Sequence, residues 1–112
     1  MAQATPPLGD ILDRLFATIE ARRGEDAAQS YTASLLKAGA DKCAKKFGEE
    51  AIEAALAGAA RDKTALTNEA ADVLYHLLVL MAAAGVEPAD VSAALAAREG
   101  VSGHAEKASR TK

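Results

Sequence analysis

Two short acidic motifs raise the question of chemistry. "EEAIE" places Glu49, Glu50 and Glu53 within five residues, and "EAAD" places Glu69 and Asp72 three apart. On a helix the first three fall within about a 100° arc and the second two share a face. Neither motif contains a lysine or an arginine. If the two meet, four or five carboxylates converge, an arrangement that is strongly unfavourable unless a divalent cation preferring oxygen ligands lies among them. Taken alone, three glutamates on a helix read as a solvated face. Glu69 and Asp72 change that reading because they open the most apolar segment of the chain, where an inward carboxylate needs compensation. Mg²⁺ suits such a donor set better than Zn²⁺, since the single cysteine, Cys43, has no thiol partner.

A Mg²⁺ held by helix carboxylates keeps several waters and reaches substrate phosphates, so the chemistry implied is that of phosphate. Lys42, Lys45 and Lys46 precede the first motif by one to two turns and are placed either to neutralise phosphate oxygens or simply to be solvated. The glycine-rich phosphate loop G-x-x-x-x-G-K is absent, and no Ser–His–Asp or Cys–His arrangement suggests a covalent nucleophile. His76, on an apolar helix, reads as a hydrogen-bonded core histidine, Cys43 as packing, and His104 as solvated.

The elements that must hold these residues are helices throughout. Ile11, Leu12, Leu15, Phe16 and Ile19 repeat at helical spacing, which predicts a first helix over residues 10–23 with Asp10 as its cap and Gly24 as its stop. A short second helix follows Ser30 and breaks at Gly39. Asp41 is placed to cap a third, running to about residue 60. Gly48 inside it costs about 1 kcal/mol relative to alanine and suggests a close approach there. "RDKTA" reads as a tight turn, and a fourth helix over residues 64–84 is apolar nearly all round after Asp72. The first acidic cluster then lies about eleven residues before the turn and the second only a few after it, so their meeting requires unequal arms. Pro88 opens a last helix to residue 98, with Asp90 in its first turn. Alternation is absent and β-branched residues are few, so no strand is expected.

The expectation is one all-α domain over residues 10–100, a bundle of four to five helices, with a mobile arm at 1–9 and a loosely ordered tail at 101–112. At 112 residues there is no room for a second domain. Half the residues are apolar, but alanine supplies much of that half and aromatics only 4%, so a lone core is thin and a homodimer is the natural way to add buried surface. A net charge of −3 argues against nucleic acid as partner. The arm lacks the marks of a signal peptide, the apolar run from Val73 is too short to span a bilayer, and the lone cysteine fits a reducing cytoplasm.

Longer segments narrow the reading. "SYTASLLKAGADKCAKKFGEEAIEAAL", "NEAADVLYHLLVLMAAAGV" and the tail "SGHAEKASR" resemble the phosphoribosyl-ATP pyrophosphatase family of histidine biosynthesis, within the all-α nucleotide pyrophosphohydrolases of MazG-like fold. The resemblance runs from the first helix to the tail and departs at Phe47, where a smaller aliphatic is expected; that touches packing only. It implies Mg²⁺-dependent hydrolysis of phosphoribosyl-ATP to phosphoribosyl-AMP and pyrophosphate. It also implies a bundle shared between two chains, and because the cyclohydrolase domain sometimes fused ahead of this one is not in the sequence, a stand-alone enzyme is expected. The family's metal-binding carboxylates match Glu50, Glu53, Glu69 and Asp72. Glu49 is then placed to assist from behind or to orient the attacking water, and Lys107 and Arg110 of the tail to close over phosphates. Two other readings compete: a housecleaning hydrolase of noncanonical nucleoside triphosphates on the same fold, and a non-enzymatic helical dimerisation module.

Overall fold

The structure, a computed structural model, describes residues 4–101 and 103–110, and of residues 105 and 106 the backbone alone. Residues 1–3 of the expected arm and 102, 111 and 112 of the expected tail lie outside the described residues. Six helices follow in order: α1 (Leu8–Arg22), α2 (Tyr31–Ala38), α3 (Ala40–Ala59), α4 (Lys63–Ala84), α5 (Pro88–Arg98) and α6 (Gly103–Arg110). There is no strand among the described residues, as the missing alternation implies.

Local chemistry explains most boundaries. The Ser30 hydroxyl accepts from the Ala33 N–H at 3.1 Å and starts α2. Gly39, at φ +98°, ends α2 and starts α3, so Asp41 sits in the first turn of α3 instead of capping it. Likewise Pro7 precedes α1, which starts two residues before the expected Asp10; that aspartate lies in the first turn, where its charge suits the helix dipole. Pro88 opens α5, and the Asp90 carboxylate accepts from the Glu87 N–H at 2.9 Å. Beyond residue 100, where sequence suggested a loosely ordered tail, the chain forms the helix α6.

The α3–α4 connection decides the geometry of the site. Arg61 takes the left-handed conformation (φ +58°), and the Asp62 carboxylate accepts from the Ala65 N–H at 3.0 Å, so α4 begins at Lys63, one residue before the expected start and inside the "RDKTA" stretch read as a turn. This corrects the expectation of unequal arms. Glu50 and Asp72 each stand eleven residues from Arg61, and Glu53 and Glu69 each stand eight. An antiparallel pair of helices folded at Arg61 therefore brings like-placed carboxylates face to face.

The core forms where α1, α2, the start of α3 and the second half of α4 meet. Ile19, Leu35, Cys43, Leu78, Val79, Met81 and Ala82 are its buried residues. The Cys43 thiol donates to the Leu35 carbonyl at 3.2 Å, and burial pushes its pKa up, so it packs rather than reacts. Arg23 ties α1 to α4 by donating to the Ala82 carbonyl at 2.8 Å while paired with Glu20 at 2.6 Å. Thr32 and Tyr75 hydroxyls meet at 2.5 Å and join α2 to α4. After Gly85 the chain bends by 110° into α5, which has no buried residue. Among the described residues no single helix is long and apolar enough to cross a membrane. The expected close approach at Gly48 is absent: a Cβ there meets nothing within 4 Å, because α3 has no neighbour on that side in this chain.

Candidate metal centre and the cavity beside it

Glu50 of α3 and Glu69 and Asp72 of α4 each bring a carboxylate oxygen into one group, all within 4.8 Å of one another. The pairing follows from the hairpin register described above. Glu53, one turn on from Glu50, comes close enough that its charge and hydrogen-bonding oxygens act on both Glu50 and Glu69. Desolvation first, then Glu53, and then the neighbouring acids hold the Glu50 carboxyl above its ordinary range. Glu69 rises for the same reasons, desolvation leading, followed by Glu53 and Asp72. One oxygen of Glu69, Oε2, is buried without a hydrogen-bond partner. Two ionised carboxylates have acceptors only, so they cannot satisfy each other.

Glu49 behaves differently from its neighbours. Its carboxylate pairs with the Lys46 ammonium at 3.3 Å and stays half-exposed, outside the group formed by Glu50, Glu69 and Asp72. The hydrogen bond it donates to Glu49, followed by the electrostatic influence of Tyr31 and of the acidic side chains, raises the Lys46 pKa above its ordinary range. Of the three lysines singled out from sequence, Lys42 and Lys46 line a cavity of about 390 Å³ between α2 and α3, and Lys45 does not. Tyr31, Ser34, Leu35 and Ala38 complete that cavity. Sequence reasoning named neither Tyr31 nor Ser34 as a site residue. Their spacing on α2 is a signal only once the Lys42 face of α3 is known to pack opposite.

His76 lies one turn beyond Asp72 and is 7% exposed, which bears out a core histidine. The expected hydrogen bond is missing at Nδ1, which has no partner. The ring is instead held edge-on between Tyr75, at 4.9 Å between centroids, and Tyr31, at 6.2 Å. Burial, with the Lys46 charge behind it, pushes its pKa down despite Asp72 and Glu49, so the imidazole is neutral near pH 7.

Known proteins match this chain closely. The phosphoribosyl-ATP pyrophosphohydrolase family matches residues 12–99. A phosphoribosyl-ATP pyrophosphatase of Cereibacter sphaeroides is 58% identical over 100 residues, covering 89% of this chain and 97% of that protein. Proteins of the same name from Dinoroseobacter shibae and Azospirillum brasilense are 58% and 54% identical over 100 residues, covering 89% of this chain and 98% and 90% of their own lengths.

Proposed function

The chain belongs to the phosphoribosyl-ATP pyrophosphohydrolase family, and on that premise we propose that its acidic hairpin face hydrolyses phosphoribosyl-ATP to phosphoribosyl-AMP and pyrophosphate. The observation that carries the reading is the convergence of Glu50, Glu69 and Asp72 into one group, with Glu69 Oε2 buried and unpartnered. An all-oxygen donor set with uncompensated charge fits a hard divalent cation, and Mg²⁺ is the one whose chemistry serves a nucleotide triphosphate. Glu50, Glu53, Glu69 and Asp72 would hold it. When bound, Mg²⁺ supplies positive charge to the triphosphate oxygens and makes the α-phosphorus easier to attack.

The chain's own residues do the rest. Lys46, held protonated by Glu49, and Lys42 and Lys45 along the same helix supply further positive charge to the substrate phosphates. Glu49, beside the acidic group, orients the attacking water and accepts its proton. Water adds to the α-phosphorus, the bond to the oxygen bridging to the β-phosphorus breaks, and pyrophosphate leaves with that oxygen. Such a reaction is mostly positioning and charge neutralisation, which suits a site without a covalent nucleophile.

The working form is a homodimer, or an assembly of dimers, of a unit built from α1 to α5, and it acts in the cytoplasm as a step of histidine biosynthesis. The surface supports the association. The chain exposes 8004 Å², against ~5,800 Å² for a compact monomer of 11.5 kDa. The excess of about 2,000 Å² is more than the roughly 800 Å² per partner of a standard interface. Ile52, Leu56 and Leu66 flank the hairpin and Val91 and Leu95 lie on α5, all exposed.

The test is pyrophosphate release from phosphoribosyl-ATP with and without Mg²⁺, beside a panel of canonical and noncanonical nucleoside triphosphates. Metal-dependent release from phosphoribosyl-ATP above all others is expected. Faster turnover of a noncanonical triphosphate would assign the chain to housecleaning instead, and no turnover of any nucleotide would leave a helical association module.

A further inference from the structure

Resting on the proposed substrate, we propose that the cavity lined by Tyr31, Ser34, Leu35, Ala38, Lys42 and Lys46 receives the substrate's second phosphate, the one carried by its phosphoribosyl group. Phosphoribosyl-ATP is anionic at two places separated by a base and two sugars. A cation held by Glu50, Glu53, Glu69 and Asp72 would supply charge to the triphosphate at the carboxylates, and the remote phosphate would need a second cationic site. Lys42, Lys46 and Glu50 follow one another at four-residue steps and trace one side of α3. Lys46 stands about 6 Å and Lys42 about 12 Å along the axis from Glu50. A ligand anchored at the carboxylates and lying along α3 passes Lys46 and reaches Lys42.

Lys46 is already paired with Glu49 at 3.3 Å, but two other donors there are uncommitted. Lys42 makes no ion pair among the described residues, and the half-exposed Tyr31 hydroxyl makes no hydrogen bond among them. Ser34 differs, since its hydroxyl already donates to the Tyr31 carbonyl at 2.6 Å, and it shapes the wall instead. The Tyr31 ring is braced by the buried His76, whose neutral edge adds no charge of its own. A cavity of about 450 Å³ offers no such site, since its one cation, Arg23, is already taken by Glu20 and the Ala82 carbonyl. A further one of about 370 Å³, lined by Arg23 and Lys37, is not on the Glu50 side of α3. A lysine ammonium and a phenol on a wall of Leu35 and Ala38 suit a phosphate on a sugar, with the sugar's carbons against the apolar side.

The experiment compares binding of phosphoribosyl-AMP and AMP to the full chain by calorimetry. The two differ only in the phosphoribosyl group and both lack the leaving pyrophosphate. Wild type should bind phosphoribosyl-AMP at least tenfold more tightly than AMP. Lys42→Ala should remove most of that preference, and Tyr31→Phe, which keeps the ring against His76, should remove part of it. Equal binding of the two ligands by wild type overturns the proposal, and so does a preference that survives in both variants. Pyrophosphate release from phosphoribosyl-ATP, measured on the same wild-type preparation, reports on the proposed activity independently of either result.

Discussion

At one end of the molecule α1, α2, α3 and α4 meet around Ile19, Leu35, Cys43 and Val79, three of which are at most 1% exposed. At the other end only the α3–α4 hairpin continues, and no residue between Cys43 and His76 is buried. All the carboxylates of the candidate metal centre belong to that second stretch. The first end is held by apolar packing within one chain and is complete as it stands. The second carries crowded like charge beside exposed Ile52 and Leu56, and on the proposed function it is what comes to it, a cation, a substrate and a second copy, that would stabilise it. Stability and function are thus divided along the length of the same two helices.

The largest effect that would break this division lies at the acidic end. Glu53→Gln and Asp72→Asn, made separately, should each lower pyrophosphate release by about 10³-fold or more, roughly 4 kcal/mol of transition-state stabilisation, with the fold intact. The rise in melting temperature on adding Mg²⁺ should shrink in both. Near wild-type turnover with an undiminished metal-induced shift would sink the assignment.

Apolar residues at the two ends should respond in opposite ways. Ile19→Ala should destabilise the protomer by about 2–5 kcal/mol in denaturant titration, because it leaves a void in a closed core. The paired change Ile52→Lys with Leu56→Lys should leave protomer unfolding within about 0.5 kcal/mol of wild type yet shift the light-scattering mass from dimer to monomer. A monomeric wild type at micromolar concentration would remove the partner from the comparison.

The pH dependence of stability separates the ends more finely. Glu50 and Glu69 carry raised carboxyl pKa values, so the folded chain binds these protons more tightly than the unfolded one. Their contribution is full below the unfolded carboxylate range, near pH 4, and is lost as pH rises through the raised folded values. In chelator, wild type should therefore lose a few degrees more than Glu53→Gln on going from about pH 4 to pH 7. Saturating Mg²⁺ should abolish the difference. Equal slopes in chelator would show that the carboxylates do not feel one another.

The smallest expected effect is Gly48→Ala, a gain of about 1 kcal/mol in the isolated protomer from helix propensity alone, since the added Cβ meets nothing. A loss of stability or of dimer in this variant would show that something outside the protomer comes to rest on that face.

Much of this was legible in the residues. Ser30, Gly39, Gly85 and Pro88 mark helix ends through chemistry confined to one turn, and the α3–α4 register is written in the equal distances of the two acid pairs from Arg61. Taking "RDKTA" as a five-residue turn hid that symmetry, because Asp62 rather than a later residue caps α4. Relations at three and four residues, such as the shared face of Glu50 and Glu53 or of Glu69 and Asp72, are set by the helical repeat and need nothing beyond the sequence. Relations between helices are not set this way. That Glu50 faces the acids of α4, that Tyr31 stands over His76, and that Lys42 opens onto a cavity all depend on how α2 and α4 lie against α3. Side-chain packing across elements chooses those angles, and a local repeat carries no record of them.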